Sequence, residues 1–296
     1  MTLRTDIHVH VYEPAIARRA LDNIRAFRKQ VGITGVEIAD DGTPAFLLEE
    51  MARLGLSRSV IQAVVPRPDM MGKINAWTHE TVAASDGRLL AFGGIHPFAA
   101  RADISDEIKR FTDSYDFRGV KLHPTLQGFP PDGLEAMRLY EAITRAGLPI
   151  LIHPDRRSAE SFHPKGEASG PDIHDRLSTP EHILTNEKLC RIIETFPELT
   201  IIGAHLGGSH SDRLEALVKG SPNVWLDLAI VKVFFPEGPD HVASLVRGYG
   251  AENILFGSDF PFWPQDVALA YLDKMGLSPD ERRLIETENP ARILAR

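Results

Sequence analysis

Two histidines stand two positions apart near the start of the chain, at His8 and His10. They alternate with the apolar residues Ile7 and Val9, a pattern typical of a strand whose successive side chains point to opposite faces. The two imidazoles therefore project from the same face, where they could bind a divalent cation such as Zn²⁺. A pair of strand histidines can equally form a polar patch, so a metal site requires further ligands from elsewhere in the chain.

Polar residues recur where other short apolar runs end. The residues in this position are His96, Lys121, His123, His153, His205, Asp227 and Asp259. Histidines scattered through a core would not occupy this position repeatedly. In a barrel of alternating strands and helices, the reactive groups lie at the carboxyl ends of the strands. The repeated placement therefore predicts an active site assembled from several strand ends.

The best ligand set among these residues contains three imidazoles and one carboxylate. We predict that one divalent metal ion is bound by His8, His10, His153 and Asp259, with one position left for water. This set suits Zn²⁺, with Mn²⁺ and Fe²⁺ as alternatives. The metal would lower the pKa of the bound water, and Asp259 could accept its proton. His205 is predicted beside the water, as a general acid and base or as the group that orients it.

Lys121 and His123 share one strand face, and their roles are open. A carbamylated Lys121 could bridge two metal ions, whereas an unmodified lysine could bind a substrate carboxylate or form a salt bridge at the barrel mouth. His123 is accordingly a candidate for a second metal or for substrate.

An anionic substrate would explain the cations near the predicted barrel mouth. The candidate substrate-binding residues are Arg67, Arg156, Arg157 and His96. Arginine forks match carboxylates well, although solvated surface arginines are an equally good interpretation. His96 could equally have a structural role at the end of its strand.

The elements that must position these residues alternate along the chain. Helical stretches lead to eight short apolar runs, at residues 6–10, 59–65, 89–96, 119–123, 149–153, 200–205, 224–229 and 253–259. Runs that are apolar throughout suit strands covered on both faces. Eight such units in 296 residues predict an α/β fold, the (β/α)₈ or TIM barrel. No Gly-x-Gly-x-x-Gly turn follows the first strand, which argues against a dinucleotide-binding sheet.

The chain is predicted to form a single domain over residues 1–296, because its composition shows no break. One connection is unusual. Residues 155–179, between the fifth strand and the next helix, form a polar segment far longer than ordinary loops. At the catalytic face of a barrel, such a segment could be a lid or a substrate-contacting loop. A disordered surface insertion is the alternative.

Composition excludes several classes of protein. A formal net charge of -8, with no run of basic residues, argues against a nucleic-acid surface. The single cysteine, Cys190, excludes an intrachain disulfide and lies on an apolar helical face, as a buried inert thiol would. No stretch approaches about 18 consecutive apolar residues, and the first residues do not resemble a signal peptide. We therefore expect a cytoplasmic protein without a membrane partner; a homodimer stays open.

Six motifs follow one another along the chain: DIHVH (residues 6–10), GVKLHP (119–124), IHP (152–154), GAHLGG (203–208), FGSDFP (256–261) and ENPARIL (288–294). Together they resemble the amidohydrolase superfamily, specifically its amidohydrolase-2 branch. The resemblance implies a distorted (β/α)₈ barrel, metal ligation by His8, His10, His153 and Asp259, and a catalytic His205. Binuclear relatives carry a carbamylated lysine where Lys121 lies, but this branch is usually mononuclear, which favours one metal.

The branch contains metal-dependent hydrolases and non-oxidative decarboxylases, such as aminocarboxymuconate-semialdehyde and γ-resorcylate decarboxylase. The predicted function is a metal-dependent hydrolase that uses metal-activated water on a small carboxylate-bearing, ester, lactone or amide substrate. The alternative enzyme is a metal-dependent decarboxylase of a small aromatic or unsaturated carboxylic acid. A non-catalytic barrel that binds a metabolite is a third interpretation, which the complete ligand set argues against.

Overall fold

A computed structural model of the chain describes residues 3–30, 35–154 and 179–295. Eight strands lie in this part of the chain, and their order in the sheet follows the sequence from β1 to β8. They are β1 (Thr5–Val9), β2 (Arg58–Gln62), β3 (Leu89–Gly94), β4 (Gly119–Leu122), β5 (Ile150–Ile152), β6 (Ile201–Gly203), β7 (Val224–Asp227) and β8 (Ile254–Leu255). Parallel strands in sequence order with interleaved helices confirm the predicted (β/α)₈ class. The proposed lid at 155–179, together with Arg156 and Arg157, lies outside the described residues except for Thr179.

The described helices begin and end near sequence signals. They are α1 (Pro14–Gln30), α2 (Pro44–Leu54), α3 (Met71–Ala83), α4 (Arg101–Asp113), α5 (Pro124–Gln127), α6 (Leu134–Arg145), α7 (Asn186–Thr195), α8 (Asp212–Gly220), α9 (Val231–Phe234), α10 (Pro239–Tyr249), α11 (Gln265–Lys274), α12 (Pro279–Arg283) and α13 (Asn289–Ile293). Short 3₁₀ turns occur at Pro68–Met70, Pro180–His182 and Ala251–Asn253, and a π-helical turn at Leu284–Glu288. At the start of α2, the Thr43 side chain accepts a hydrogen bond from the Phe46 amide, and Gly55 ends the helix with φ +70°.

The backbone forms two compact units. The terminal unit comprises Met1–Ile61, Thr81–Leu90 and Leu226–Arg296, and the central unit comprises Gln62–Glu80 and Ala91–Trp225. Strands β1 and β8 belong to the terminal unit and β4, β5 and β6 to the central unit, whereas β2, β3 and β7 contribute residues to both. The single domain predicted from the sequence stays a prediction.

The core of the central unit is built on β4, β5 and β6. Val120 is aligned with Ile150, which is aligned in turn with Ile201, and all three side chains are fully buried. Gly119, at the start of β4, lies so close to Phe92 that a Cβ there would stand 2.6 Å from the phenyl ring. Strands with buried residues on both faces are what the continuous apolar runs predicted.

In the terminal unit, β1 packs with its apolar face inward. Ile7 and Val9 are fully buried, and the Ile7 amide donates a hydrogen bond to the Phe256 carbonyl at 2.9 Å. Burying each of these aliphatic side chains stabilises the fold by about 1.5–3 kcal/mol. Because Ile7 and Val9 occupy this buried apolar face, the alternation of the strand leaves His8 for the opposite face.

Several element boundaries differ from the sequence expectation, among them the following two. The sixth strand was expected to reach His205, but β6 ends at Gly203, because His205 and Leu206 adopt φ values of +54° and +52° that no strand accommodates. The helix expected over 180–196 is a 3₁₀ turn followed by α7. Cys190 on α7 is buried as expected, and burial raises the pKa of its thiol. No helix within the described ranges is long and apolar enough to cross a membrane.

Candidate active site

In the terminal unit, β1 delivers two histidines to the segment that follows β8. His8 is fully buried within β1, and His10 lies one residue beyond its end with its side chain 13% exposed. Val9 pairs with Phe260 in a parallel bridge, and the His10 amide donates a hydrogen bond to the Phe260 carbonyl at 2.5 Å. The backbone of β1 is therefore fixed against the segment that carries Asp259.

Asp259 has a left-handed backbone, with φ +70°. Its amide donates a hydrogen bond to the His8 carbonyl at 2.8 Å, and its carbonyl accepts one from the Trp263 amide at 3.2 Å. Aspartate is among the few non-glycine residues that tolerate this conformation. The result is that Asp259 Oδ1 lies 3.4 Å from His8 Nε2 and 3.2 Å from His10 Nε2.

These three ligand atoms form a nearly equilateral triangle, since His8 Nε2 and His10 Nε2 are themselves 3.2 Å apart. The sides of this triangle, 3.2–3.4 Å, match the spacing expected between ligand atoms that would each lie about 2.0–2.2 Å from a tetrahedral zinc ion. His8, His10 and Asp259 thus form a metal triangle, a set of ligand atoms spaced to hold a divalent cation.

Asp227, at the end of β7, holds the ring of His8 from behind. His8 Nδ1 donates a hydrogen bond to Asp227 Oδ2 at 2.8 Å, and both side chains are fully buried. Because an ionised carboxylate only accepts, the proton lies on Nδ1, and the Nε2 lone pair faces the metal triangle. The other oxygen of Asp227 accepts a hydrogen bond from the Ala229 amide at 3.0 Å. Asp227 therefore fixes both the tautomer and the orientation of His8.

We expect Asp227→Asn to lower the affinity for Zn²⁺ by about 10- to 100-fold, the usual effect of removing a carboxylate behind a metal-binding histidine. An asparagine offers one acceptor and one NH₂ group, so it cannot accept from both His8 Nδ1 and the Ala229 amide. Competition with a chromophoric chelator measures the change. Asp266→Asn is the control, because Asp266 is half exposed and pairs with Arg53. An unchanged affinity in Asp227→Asn would contradict this role.

Asp6 fixes the backbone beneath the metal triangle. Its Oδ1 accepts hydrogen bonds from the amides of His8 and Ser258, at 3.1 and 3.0 Å, and its Oδ2 accepts one from Gln265 Nε2 at 2.8 Å. Burial raises the pKa of Asp6 to about 6, although these hydrogen bonds oppose the rise. Asp6 thus links β1 to the Ser258–Asp259 turn and to α11.

Arg28 holds the segment that follows Asp259. Its guanidinium donates hydrogen bonds to the carbonyls of Val36, Glu37 and Phe262. Burial lowers the pKa of Arg28, and the nearby charge of Asp259 opposes this effect. The ring of Phe262 in turn contacts His10 edge to face, with the centroids 5.4 Å apart. Arg28 therefore helps to place the Phe262 ring beside the metal triangle.

In the central unit, three histidines predicted from the sequence contact one another. His153 Nδ1 and His205 Nε2 are 2.9 Å apart, within hydrogen-bond distance. The His123 ring stacks on the His153 ring with centroids 3.9 Å apart and an interplanar angle of 15°. We call His123, His153 and His205 the histidine cluster. The sequence placed each of them at a strand end, and the structure brings the three together.

The turn that carries His205 is strained. Four consecutive residues have positive φ: His205 (+54°), Leu206 (+52°), Gly207 (+73°) and Gly208 (+78°). For a non-glycine residue this conformation costs about 1–2 kcal/mol. Such strain persists where the surrounding structure fixes it, and it is concentrated at functional sites. The sequence showed the Gly207–Gly208 pair, which indicated a turn, but it gave no sign that the left-handed backbone begins at His205.

The remaining predicted site residues have different surroundings. Lys121 is fully buried on β4. His96 is also buried, with Nε2 donating to the Gln127 carbonyl at 3.0 Å and Nδ1 accepting from the Phe98 amide at 3.2 Å, which favours its structural interpretation. Arg67 is exposed and forms two hydrogen bonds to Asp69, at 2.8 and 3.0 Å. The substrate roles of His96 and Arg67 stay predictions.

The family profile described as Amidohydrolase matches residues 5–296. The chain belongs to the amidohydrolase family. This match confirms the resemblance inferred from the six motifs, and it spans both units. No sequence among curated proteins matches the chain.

Several solved structures share the fold of this chain. An uncharacterized TIM-barrel protein from Bordetella bronchiseptica superposes with a TM-score of 0.72 at 20% identity, covering 99% of this chain and 98% of that one. The 5-carboxyvanillate decarboxylase of Novosphingobium aromaticivorans, with bound manganese, superposes with a TM-score of 0.68 at 14% identity, covering 100% of this chain and 97% of that one. A probable 2-pyrone-4,6-dicarboxylic acid hydrolase from Acinetobacter baumannii, with citric acid bound, superposes with a TM-score of 0.64 at 13% identity, covering 99% of each chain. At these identities the likeness shows the fold.

Proposed function

We propose that this amidohydrolase is a metal-dependent hydrolase that activates water at the metal triangle. The observation that carries the proposal is the convergence of His8 Nε2, His10 Nε2 and Asp259 Oδ1, with sides of 3.2–3.4 Å, while Asp227 holds His8 from behind. A divalent cation held there would supply Lewis acidity and lower the pKa of a water molecule beside it.

The residues of the chain supply the rest of the chemistry. Asp259 is proposed to place Oδ1 in the metal triangle and to accept the proton of the attacking water on its carboxylate. His8 and His10 stay neutral, because a protonated imidazole has no lone pair for a metal. Asp259 is then proposed to pass this proton to the leaving group. His153 is proposed as a further ligand, and His205 as a general acid and base beside the water or as the group that orients it. The roles of these two central-unit residues rest on the sequence prediction.

We propose a single ion, with Zn²⁺ as first choice and Mn²⁺ or Fe²⁺ as alternatives. Two imidazoles and a carboxylate suit all three metals. The manganese bound in the 5-carboxyvanillate decarboxylase supports a place for Mn²⁺. A binuclear site with carbamylated Lys121 and with His123 as a ligand is the alternative arrangement.

The proposed substrate is a small anionic molecule with a hydrolysable ester, lactone or amide bond. The pyrone dicarboxylic acid hydrolase with bound citric acid supports this class. The predicted carboxylate-binding residues Arg156 and Arg157 lie outside the described residues, and Arg67 pairs with Asp69. Neither a nucleic-acid nor a membrane partner is proposed, and a homodimer stays a prediction.

A second candidate is a metal-dependent non-oxidative decarboxylase. It is favoured by the 5-carboxyvanillate decarboxylase among the structural neighbours. A decarboxylase would use the same metal triangle to hold the substrate, and a proton donor such as His205 would protonate the carbon that loses CO₂. The two reactions therefore share residues and differ in their products.

Product analysis separates the two candidates. Protein loaded with Zn²⁺ or Mn²⁺ is incubated in ¹⁸O-water with 2-pyrone-4,6-dicarboxylate and, separately, with 5-carboxyvanillate. A hydrolase incorporates one ¹⁸O into its product and releases no CO₂, and the incorporation disappears in Asp259→Asn. Release of CO₂ without label in the organic product would support the decarboxylase instead. A metal-loaded protein that binds these acids but turns over none of a wider panel would favour the metabolite-binding interpretation.

A further inference from the structure

Gln127 is the last residue of α5, and its amide is fully used by the backbone of the central unit. Its side chain is buried, and Nε2 donates hydrogen bonds to the carbonyls of Val65 at 3.0 Å and Ile95 at 2.8 Å. Its Oε1 accepts a hydrogen bond from the His123 amide at 2.7 Å. One side chain thus satisfies two carbonyls and one amide that lie beyond the ends of regular strands.

These three backbone groups follow three consecutive strands. Val65 comes after β2, Ile95 after β3, and His123 directly after β4. In a barrel these are the ends that carry the chemistry. Buried backbone groups must be paired, and for these three groups the Gln127 side chain is a partner. Gln127 therefore fixes the relative positions of three strand ends at the catalytic face of the central unit.

The backbone of Gln127 adds a fourth bond, to His96. The Gln127 carbonyl accepts from His96 Nε2 at 3.0 Å, and His96 Nδ1 accepts from the Phe98 amide at 3.2 Å. Since a carbonyl only accepts and an amide only donates, both bonds require the neutral tautomer with its proton on Nε2. His96 is thereby one of the residues that hold Gln127 in place.

Through His123, Gln127 reaches the histidine cluster. The His123 amide is held by Gln127, and His123 Nδ1 caps α5 through a longer contact of 3.4 Å to the Leu126 amide. With its backbone and one ring nitrogen fixed, the His123 ring presents a flat face to His153 at 3.9 Å. The rotation of the His153 ring is therefore limited by a neighbour that Gln127 holds.

We propose that Gln127 is a positioning residue of the active site, which sets the plane of the His153 ring through His123. The proposal rests on the proposed function, in which His153 is a metal ligand. A ring held in one plane aims its lone pair at the ion without losing further freedom on binding, as expected of groups that orient metal ligands. Gln127 does not contact substrate or metal in this scheme.

The test compares Gln127→Met with a matched control. Methionine has a similar length but forms none of the three amide hydrogen bonds. Asn75→Leu is the control, because Asn75 is a second fully buried amide with three hydrogen bonds in the same unit: two with Gly94, at 2.8 and 2.9 Å, and one with Glu107, at 2.8 Å. Each variant loses three side-chain hydrogen bonds, but only Gln127→Met loses the hydrogen bond from the His123 amide.

Two measurements are made on the full chain. Chelator competition gives the dissociation constant for Zn²⁺, and ¹⁵N NMR of the imidazoles reports the environments of His123 and His153, with assignment by single histidine substitutions. We expect Gln127→Met to weaken Zn²⁺ binding about 10-fold and to shift or broaden both sets of imidazole resonances. Asn75→Leu should lower the thermal midpoint while leaving the affinity and these resonances unchanged.

Two results would overturn the proposal. Equal changes in both variants would mean that Gln127 acts only through the stability of the unit, and unchanged imidazole resonances in Gln127→Met would mean that it does not position His123. If Gln127→Met does not fold, Gln127→Glu takes its place with the opposite expectation. It keeps the acceptor for the His123 amide and loses the donors to the two carbonyls, so the imidazole resonances should stay close to those of the wild type, and a shift of both sets would overturn the proposal. A wild-type protein that binds no Zn²⁺ would contradict the proposed function, and the NMR comparison would still decide whether Gln127 positions the cluster.

Discussion

Replacing His10 by alanine should lower the bound divalent metal well below one ion per chain after purification, because only His8, Asp259 and the proposed further ligand His153 remain, and three protein ligands are the minimum of ordinary catalytic zinc sites. His10 supplies one corner of the metal triangle, 3.2 Å from both other ligand atoms. Its side chain is partly exposed, and the buried pair between His8 and Asp227 stays intact in the variant. The fold should therefore survive the substitution. Elemental analysis of protein purified without chelator measures the loss.

The choice of His10 avoids a problem that His8 would create. Removing His8 leaves Asp227 buried without its histidine partner, and an unpaired buried charge costs about 3–5 kcal/mol. A His8→Ala/His10→Ala variant is still informative when circular dichroism shows that it folds. His210→Ala is the matched control, because His210 is a partly exposed histidine that pairs with Glu215. Full metal occupancy in His10→Ala would contradict the metal triangle.

The number of ions in the wild-type protein decides between the two arrangements of the site. One metal ion per chain agrees with a mononuclear site at the metal triangle. Two equivalents that depend on bicarbonate and disappear in Lys121→Met would establish a binuclear site with a carbamylated lysine. Lys121 is fully buried on β4, so a methionine of similar length replaces its stem without leaving a large cavity.

The sequence predicts the strand-end residues well because the barrel imposes a local rule. An apolar run followed by His or Asp is visible within a few residues, and this pattern singled out His123, His153 and Asp259. Their chemistry follows from residue type and from their shared location at one kind of position. The alternation of His8 and His10 with apolar residues was sufficient to place both on one face.

What the sequence could not supply is the partner of each of these groups. Asp227 bonds to His8 across 219 positions of the chain, and a single acid after an apolar run does not reveal which ring it will meet. Gln127 carries no motif of its own, since its four contacts are made with backbone or with a distant histidine. Hydrogen bonds of this kind depend on tertiary geometry. They determine how a ligand is held, whereas residue patterns indicate only that a ligand is present.

The backbone conformations at the site were equally invisible. The expected sixth strand ended at His205 because GAHLGG reads as an apolar run before a glycine turn, yet the left-handed turn begins at His205 itself. Asp259 also has positive φ, and nothing in FGSDFP specifies which residue would adopt it. Both deviations occur at residues with predicted chemistry, where local preference is most often overridden.

Gly257→Ala should damage the metal triangle without touching any ligand. A Cβ at Gly257 would lie 2.9 Å from the Cβ of His8 and 3.3 Å from the Cβ of Ala229. The His8 Cβ is joined to the backbone of β1, so it cannot move aside by a change of rotamer. The added methyl group would therefore press on His8 and on the segment after Asp227, the two sides of the pair that orients the ring.

We expect this variant to lose about 1–3 kcal/mol of unfolding free energy, as is usual when a methyl group is forced into a packed interior. We also expect its affinity for Zn²⁺ to fall by about 10-fold or more, because a displaced His8 no longer closes the triangle. Gly72→Ala on α3 is the control, since a Cβ there meets no atom within 4 Å and alanine favours a helix. Thermal unfolding and chelator competition measure the two effects. A Gly257→Ala protein with wild-type affinity would show that the position of His8 does not depend on this close approach, and that Asp227 and Asp259 alone are sufficient to hold the ring.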